Sequence, residues 1–227
     1  MPIFFQQDID ADTRLGIWKI EEDEAFFLSE VMPQRNVSHP HKKLQHLAGR
    51  YLLKHLFPRF PLALIRIADT RKPFLEDEAY HFSISHCGDY AAAIVSQKRR
   101  VGVDIEIVTD KVARIKHKFL SEEEMSVGNT RWTTGKELAS IFHPQLTLLW
   151  SCKEAVFKWY GSGEVDFKKH IVVEKQEQTD EWAYQTSVCF QKEEALGLTL
   201  YSYFFGSTAN ELLPAHNPSL VLSYVVT

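Results

Sequence analysis

The sequence predicts an α+β protein in which helices cover largely antiparallel sheets. Three observations carry that class. Across residues 41–57 apolar side chains recur at spacings of three and four. Residues 80–85 and 101–108 alternate with the period of two that marks strands. Beyond Gly163 the chain reads as four further strand-like runs.

Taken in order, residues 1–38 read as short strands with turns, 15–20 and 25–28 being the best candidates. Leu44, Leu47, Ala48, Tyr51, Leu52 and Leu56 then give one face of an amphipathic helix, stopped by Pro58. Its flank carries Lys43, His46, Arg50 and Lys54, also at helical spacing. Tyr80, Phe82 and Ile84 alternate with His81, Ser83 and Ser85, and residues 90–96 are small and apolar like a buried strand. Over residues 101–108 the odd positions are aliphatic while Gly102, Asp104 and Glu106 share the other face. Ser121 with Glu124 three residues on makes a capping box. Residues 128–147, with Gly128, Gly135 and Pro144, look less regular; 150–160 are helical, and Gly161-Ser162-Gly163 ends that helix. The last strands fall near 165–175, 182–190, 198–205 and 220–226. A change of texture near the middle divides the chain into 1–106 and 107–227, the second part resembling another module of the first kind.

Composition excludes several classes. The 227 residues are 44% hydrophobic and 25% charged, as in ordinary soluble proteins. No window approaches the ~18 apolar residues of a membrane span, and the first residues lack a secretory leader. Three scattered cysteines form neither a disulfide framework nor a metal knuckle, so a cytoplasmic setting is expected. A net charge of −4 argues against a nucleic-acid partner.

Chemistry concentrates in three places. Asp104 and Glu106, two apart on a strand, project from one face and repel each other unless a cation joins them. A hard, oxygen-preferring ion such as Mg²⁺ answers that need and keeps waters for a phosphate ligand. Gly102 on the same face allows a substrate or another backbone to come close. In residues 150–158, Trp150, Glu154 and Lys158 stack one turn apart, with Phe157 alongside. Glu154 and Lys158 alone would be a common surface pair, but the aromatic neighbours place Glu154 near a packed boundary. Ser85-His86 suits anion binding better than a hydrolytic dyad, because adjacent side chains on a strand point apart and no G-x-S-x-G elbow exists.

Lys72-Pro73, Phe82-x-Ile84-Ser85-His86, Gly102-x-Asp104-x-Glu106 and Trp150-x-x-Lys153-Glu154-Ala155-x-x-Lys158 with Gly161-x-Gly163 occur in register. In that order and spacing the chain, over roughly residues 40–165, resembles the 4′-phosphopantetheinyl transferases, in their longer, surfactin-synthetase-activating form. The resemblance implies a monomer of two pseudo-symmetric halves, each with a mainly antiparallel sheet and covering helices, and an active site in the cleft between them. It implies transfer of the phosphopantetheine arm of coenzyme A to a serine of an apo acyl or peptidyl carrier protein, with release of adenosine 3′,5′-bisphosphate. Asp104, Glu106 and Glu154 then resemble the ligands of Mg²⁺, with Mn²⁺ as a substitute, Glu154 also being the general base. Lys158 would stabilise the pyrophosphate and Lys153 assist. Arg50, Lys72, Ser85 and His86 would hold the nucleotide end, Lys43 being added from the helical face. Gln34, Arg35 and His39 stand where the family often supplies further cations, and Cys87 where many members have serine. A basic strip of Lys111, Arg114, Lys116, His117 and Lys118 leading into Phe119 and Leu120 is the expected dock for an acidic carrier. Two other readings stay open: another phosphate-cleaving metal enzyme using the same carboxylates, and a non-catalytic module that binds coenzyme A or a carrier.

Overall fold

The computed structural model describes residues 3–32, 37–124, 138–206 and 219–227, with side chains of the last helix described from residue 143. Gln34, Arg35, Gly128 and Gly135 lie outside the described residues. Strands β1 (Ile3–Asp10) and β2 (Thr13–Lys19) form a hairpin. Helix α1 (Glu24–Leu28) follows, and then the long α2 (Pro40–Leu56). Next come a small hairpin of β3 (Arg66–Ile67) and β4 (Pro73–Phe74), then β5 (His81–Cys87), β6 (Tyr90–Ser96) and β7 (Val101–Ile107). Helices α3 (Asp110–Phe119) and α4 (Leu138–Tyr160) lead into β8 (Ile171–Asp180), β9 (Ala183–Phe190), β10 (Leu196–Phe205) and β11 (Leu220–Val226).

Among the described residues, one antiparallel sheet has the order β1-β2-β6-β5 and a second β7-β11-β10-β9-β8. The period of two decides how they stack. Ala91, Ala93 and Val95 of β6 turn to α2, where Leu47, Leu52, Leu53 and Leu56 bury. Ala92 and Ile94 turn the other way and meet Val101, Val103 and Ile105 of β7 with Leu220 and Leu222 of β11. On the far face of the second sheet Val221 and Val225 pack against Cys152, Ala155 and Val156 of α4. Helix, sheet, sheet and helix thus form layers, each fully buried Leu or Ile contributing roughly 1.5–3 kcal/mol. The α+β class with helix-covered antiparallel sheets is what the periodicities predict.

Two expectations change. Residues 25–28 are helical, not a strand: Asp23 accepts the Phe26 N–H at 2.9 Å and caps α1. Helix α4 starts at Leu138 and runs through Pro144, which reads as a breaker in sequence. Burial of Leu146, Thr147, Leu148 and Leu149 holds the segment helical. Strand β7 pairs along its whole length with β11 and belongs to the second sheet. Asp104 and Glu106 therefore sit on the second sheet, facing the first across the seam. No described helix is long and apolar enough to cross a membrane.

Candidate active site

The seam between the sheets is stitched by side chains. Alternate β5 residues reach across to β7: Ser83 Oγ accepts the Val103 N–H at 3.2 Å, Ser85 Oγ donates to Asp104 Oδ1 at 2.9 Å, and Cys87 Sγ accepts the Ile107 N–H at 3.4 Å. Cys87 in turn donates to Glu106 Oε2 at 3.4 Å. Its thiol is pushed up to about 11, first by burial and then by the Glu106 charge. Because β5 alternates, His86 points away from this seam and shares the α2 face with Ile84.

Gly102 explains how α4 reaches the same place. A Cβ there would collide with the Ala155 carbonyl oxygen and stand 2.7 Å from Trp159 N and Cβ. Of the two uses foreseen for this glycine, the approach of another backbone is the one found. Helix α4 therefore lies directly on β7 and carries Trp150, Glu154 and Lys158 over the two acids. Trp150 Nε1 donates to Glu106 Oε1 at 3.0 Å. Lys158 Nζ sits 2.5 Å from Asp104 Oδ1 and donates to Ser85 Oγ at 2.7 Å.

The electrostatics show three carboxylates in one field. Asp104 is 2% exposed, and its Oδ2 is buried without a hydrogen-bond partner. Burial pushes Glu154 up to about 7, the Asp104 charge adds to this, and Lys158 opposes it; Glu106 raises it further. Glu106 is itself raised by burial and then by Asp104. Among the described residues Glu154 makes no hydrogen bond, whereas Asp104 and Glu106 are each held by two side chains. An orphaned buried oxygen on Asp104, beside two carboxylates raised first by burial and then by the Asp104 charge, suits a hard divalent cation. Even so, no three His, Cys, Asp or Glu side chains among the described residues are already gathered as a metal site. The ligand set expected from sequence is adjacent but not closed, with Lys158 occupying one Asp104 oxygen.

The expected coenzyme-binding residues divide. Ser85 and Lys158 meet at Asp104 as described. Lys72 lines a cavity of about 180 Å³ with Phe82, Ile84, Phe157, Lys158 and Gly161. Its ammonium donates to the Trp159 carbonyl at 3.1 Å, and burial, then Arg100, bring it down to about 8. Gly161, at φ +72°, admits it: a Cβ there would stand 2.8 Å from Lys72 Cε. Arg50 is 6% exposed on α2 and bonds His46 Nδ1 at 3.0 Å. Lys43 pairs with Glu24 of α1 at 2.5 Å. Lys153 is fully buried, donating to the Phe119 and Phe167 carbonyls at 2.8 and 3.0 Å and pairing with Glu124 at 2.7 Å. Glu124 also closes the capping box with Ser121 and accepts the Val173 N–H. Lys153 thus joins α4 to the chain on either side of it. Lys111, Arg114, His117 and Lys118 are exposed on α3, but Phe119 and Leu120 are buried beneath them.

Sequence reasoning missed Ser83 and Cys87 as seam residues, although their alternation with Ser85 is the signal. It saw Trp150 only as packing, and nothing in the spacing tied Glu124 to Lys153.

Residues 100–199 match the sequence model of the 4′-phosphopantetheinyl transferase superfamily. Over that span the chain is similar to that superfamily. The matched span runs from the start of β7 through α4 and into β10, so it contains both acids of the strand and the Glu154–Lys158 turn. Enterobactin synthase component D of Salmonella austin is 34% identical over 122 residues, 53% of this chain and 48% of the relative. The 4′-phosphopantetheinyl transferase AcpT of Escherichia coli K12 is 32% identical over 121 residues, 51% of this chain and 56% of the relative. Enterobactin synthase component D of the same strain is 34% identical over 119 residues. The match spans about half the length of these relatives.

Proposed function

We propose that the protein transfers the 4′-phosphopantetheine arm of coenzyme A to a serine of an apo acyl or peptidyl carrier protein, with a divalent cation. The observation that carries the reading is the convergence of Asp104, Glu106, Glu154 and Lys158 at the seam, with the Asp104 Oδ2 orphaned. The match of residues 100–199 to the superfamily supports it, and so does the activity for which AcpT is named.

In this reading the serine oxygen attacks the phosphorus that bears the pantetheine arm. The new Ser O–P bond forms as the P–O bond to adenosine 3′,5′-bisphosphate breaks. Glu154, the one carboxylate of the three without a described hydrogen bond, takes the serine proton directly or through water. Lys158 leaves Asp104 for the pyrophosphate, where its charge follows the negative charge moving onto the bisphosphate. Lys72 lies at the cavity beside Lys158 and holds the nucleotide portion with Arg50 and His86 from the α2 side. Asp104, Glu106 and Glu154 would hold Mg²⁺, which when bound would supply charge neutralisation for the phosphate chemistry. Trp150 and Cys87 keep Glu106 oriented, and Ser85 does the same for Asp104. The exposed cations of α3 give an acidic carrier a docking face beside the mouth of the seam.

The deciding experiment incubates the protein with coenzyme A, Mg²⁺ and an apo carrier protein, read by intact mass. Gain of one phosphopantetheine on the carrier is expected. Hydrolysis of coenzyme A without transfer, or binding without turnover, would refute the assignment in favour of a phosphohydrolase or a binding module. Glu154→Gln is expected to lose transfer while keeping coenzyme A binding by calorimetry; wild-type turnover in that variant removes Glu154 as the base.

A further inference from the structure

Behind the small cavity lies a second cleft of about 450 Å³, within the roughly 300–1,000 Å³ typical of small-molecule sites. Lys72 lines both, and its bond to the Trp159 carbonyl, with that of Thr70 to the Gly161 carbonyl at 2.9 Å, forms part of the partition. Asp104, Glu106 and Glu154 line neither. The far wall carries Arg100 at the start of β7, with the rings of Phe74, Tyr80 and Tyr160.

The charge of this cleft is unbalanced. Among the described residues neither Lys72 nor Arg100 has a carboxylate partner; each spends a hydrogen bond on a backbone carbonyl of the α4 end, Trp159 and Tyr160 respectively. Arg100 is held further by stacking over Trp159, its guanidinium carbon 4.9 Å from the ring centroid. Glu78, exposed, is the one acidic residue among the described lining residues. Burial and then the Arg100 charge bring Lys72 down to about 8, so the two cations repel across the space without compensation. An anion between them relieves that repulsion, and an arginine fork offers a phosphoryl group paired, charge-assisted hydrogen bonds. Three rings around the same space favour a flat apolar body.

We infer that this second cleft binds a flat-ringed monophosphate, an aryl phosphate or nucleoside monophosphate, with its phosphoryl group between Lys72 and Arg100 and its ring among Phe74, Tyr80 and Tyr160. The site lies apart from Asp104, Glu106 and Glu154 and shares Lys72, Pro73, Phe82 and Gly161 with the small cavity beside Lys158.

The test titrates phenyl phosphate into the full chain by calorimetry, without coenzyme A, metal or carrier. Saturable binding is expected, weakened about tenfold or more in Arg100→Gln, the loss of one charge-assisted pair. Ala68→Trp, which fills the same cleft from the β3–β4 side, is expected to abolish binding while keeping both cations. Arg100→Gln is expected to leave the KM for coenzyme A within about twofold. Equal affinity in wild type and both variants overturns the assignment. So does an affinity that falls in Lys158→Ala but not in Arg100→Gln, which would put the anion in the reaction cleft. Because no turnover is measured, the result stands whether or not carrier modification is observed.

Discussion

Gly102→Ala inserts one methyl group at the tightest contact between β7 and α4. The added Cβ would meet the Ala155 carbonyl oxygen, Trp159 N at 2.7 Å and Trp159 Cβ at 2.7 Å. Two of these atoms are backbone, so the clash cannot be relieved by a rotamer change and the helix must lift. Overpacking of this kind costs about 1–3 kcal/mol, which for a chain of this size lowers Tm by roughly 2–12 °C. The wedge enters beside Ala155 and Trp159, the residues that follow Glu154 and Lys158. Lifting the helix therefore moves both groups away from Asp104, and a displacement of about 1 Å in such a site can cost on the order of 100-fold in rate. Thermal unfolding and the transfer assay should show both losses together. Gly197→Ala is the control: nothing lies within 4 Å of its added Cβ on β10, so Tm should hold or rise slightly. If Gly102→Ala keeps Tm within about 1 °C of wild type, well inside the range above, and keeps full kcat, the close approach is not what seats the helix.

Asp104→Asn removes a negative neighbour from Glu154, so Glu154 should titrate below its value of about 7, read by carboxyl NMR in metal-free protein. An unchanged value would mean the two carboxylates do not share a field, and the same variant should lose any rise in Tm that Mg²⁺ gives the wild type. Lys72, held at about 8 by burial and Arg100, is charged below that pH and is recharged by a phosphate ligand above it. The KM for coenzyme A should be flat below about pH 8 and climb toward tenfold per pH unit above it, the slope of one titrating group. Lys72→Met should erase that inflection, and its persistence would exclude Lys72 from the ligand. Lys153→Met strands the Glu124 carboxylate in a buried site and should cost about 3–5 kcal/mol by denaturant unfolding. Its KM for coenzyme A should not change; a raised KM with stability intact would return Lys153 to the ligand.

What the sequence made legible follows from periodicity. Helix α2 and strands β5, β6 and β7 came within a residue or two because their apolar spacing is dense and their ends carry turn residues. The alternation of β7 also put Gly102, Asp104 and Glu106 on one face, which the structure bears out. Two things were hidden for a physical reason. Burial overrides local signals, as at Pro144, where packing keeps a helix going past a residue that normally ends one. Lys153 is set beside the site by the resemblance of its motif, and a motif records neighbours in sequence, not which side of a helix turn faces the seam. Lys153 lies one residue from Glu154, about 100° around the helix axis, and that angle is the difference between the seam and the interior.

The placement of the acids on a seam has its own logic. A continuous backbone ladder between β5 and β7 would occupy the amide and carbonyl groups of both strands and draw them to about 4.8 Å, closing the junction. Here Ser83, Ser85 and Cys87 take over that duty, answering backbone N–H groups at Val103 and Ile107 and carboxylates at Asp104 and Glu106. Short polar side chains hold the sheets slightly apart, and that separation gives α4 room to set Lys158 against Asp104 and Ser85 together. Asp104 can then stay nearly inaccessible while one of its oxygens remains unanswered. A protein core would normally remove so costly an arrangement. Its presence at a junction where, among the described residues, both sheets and the long helix meet is the strongest physical argument for reading this seam as a site for chemistry on a charged substrate.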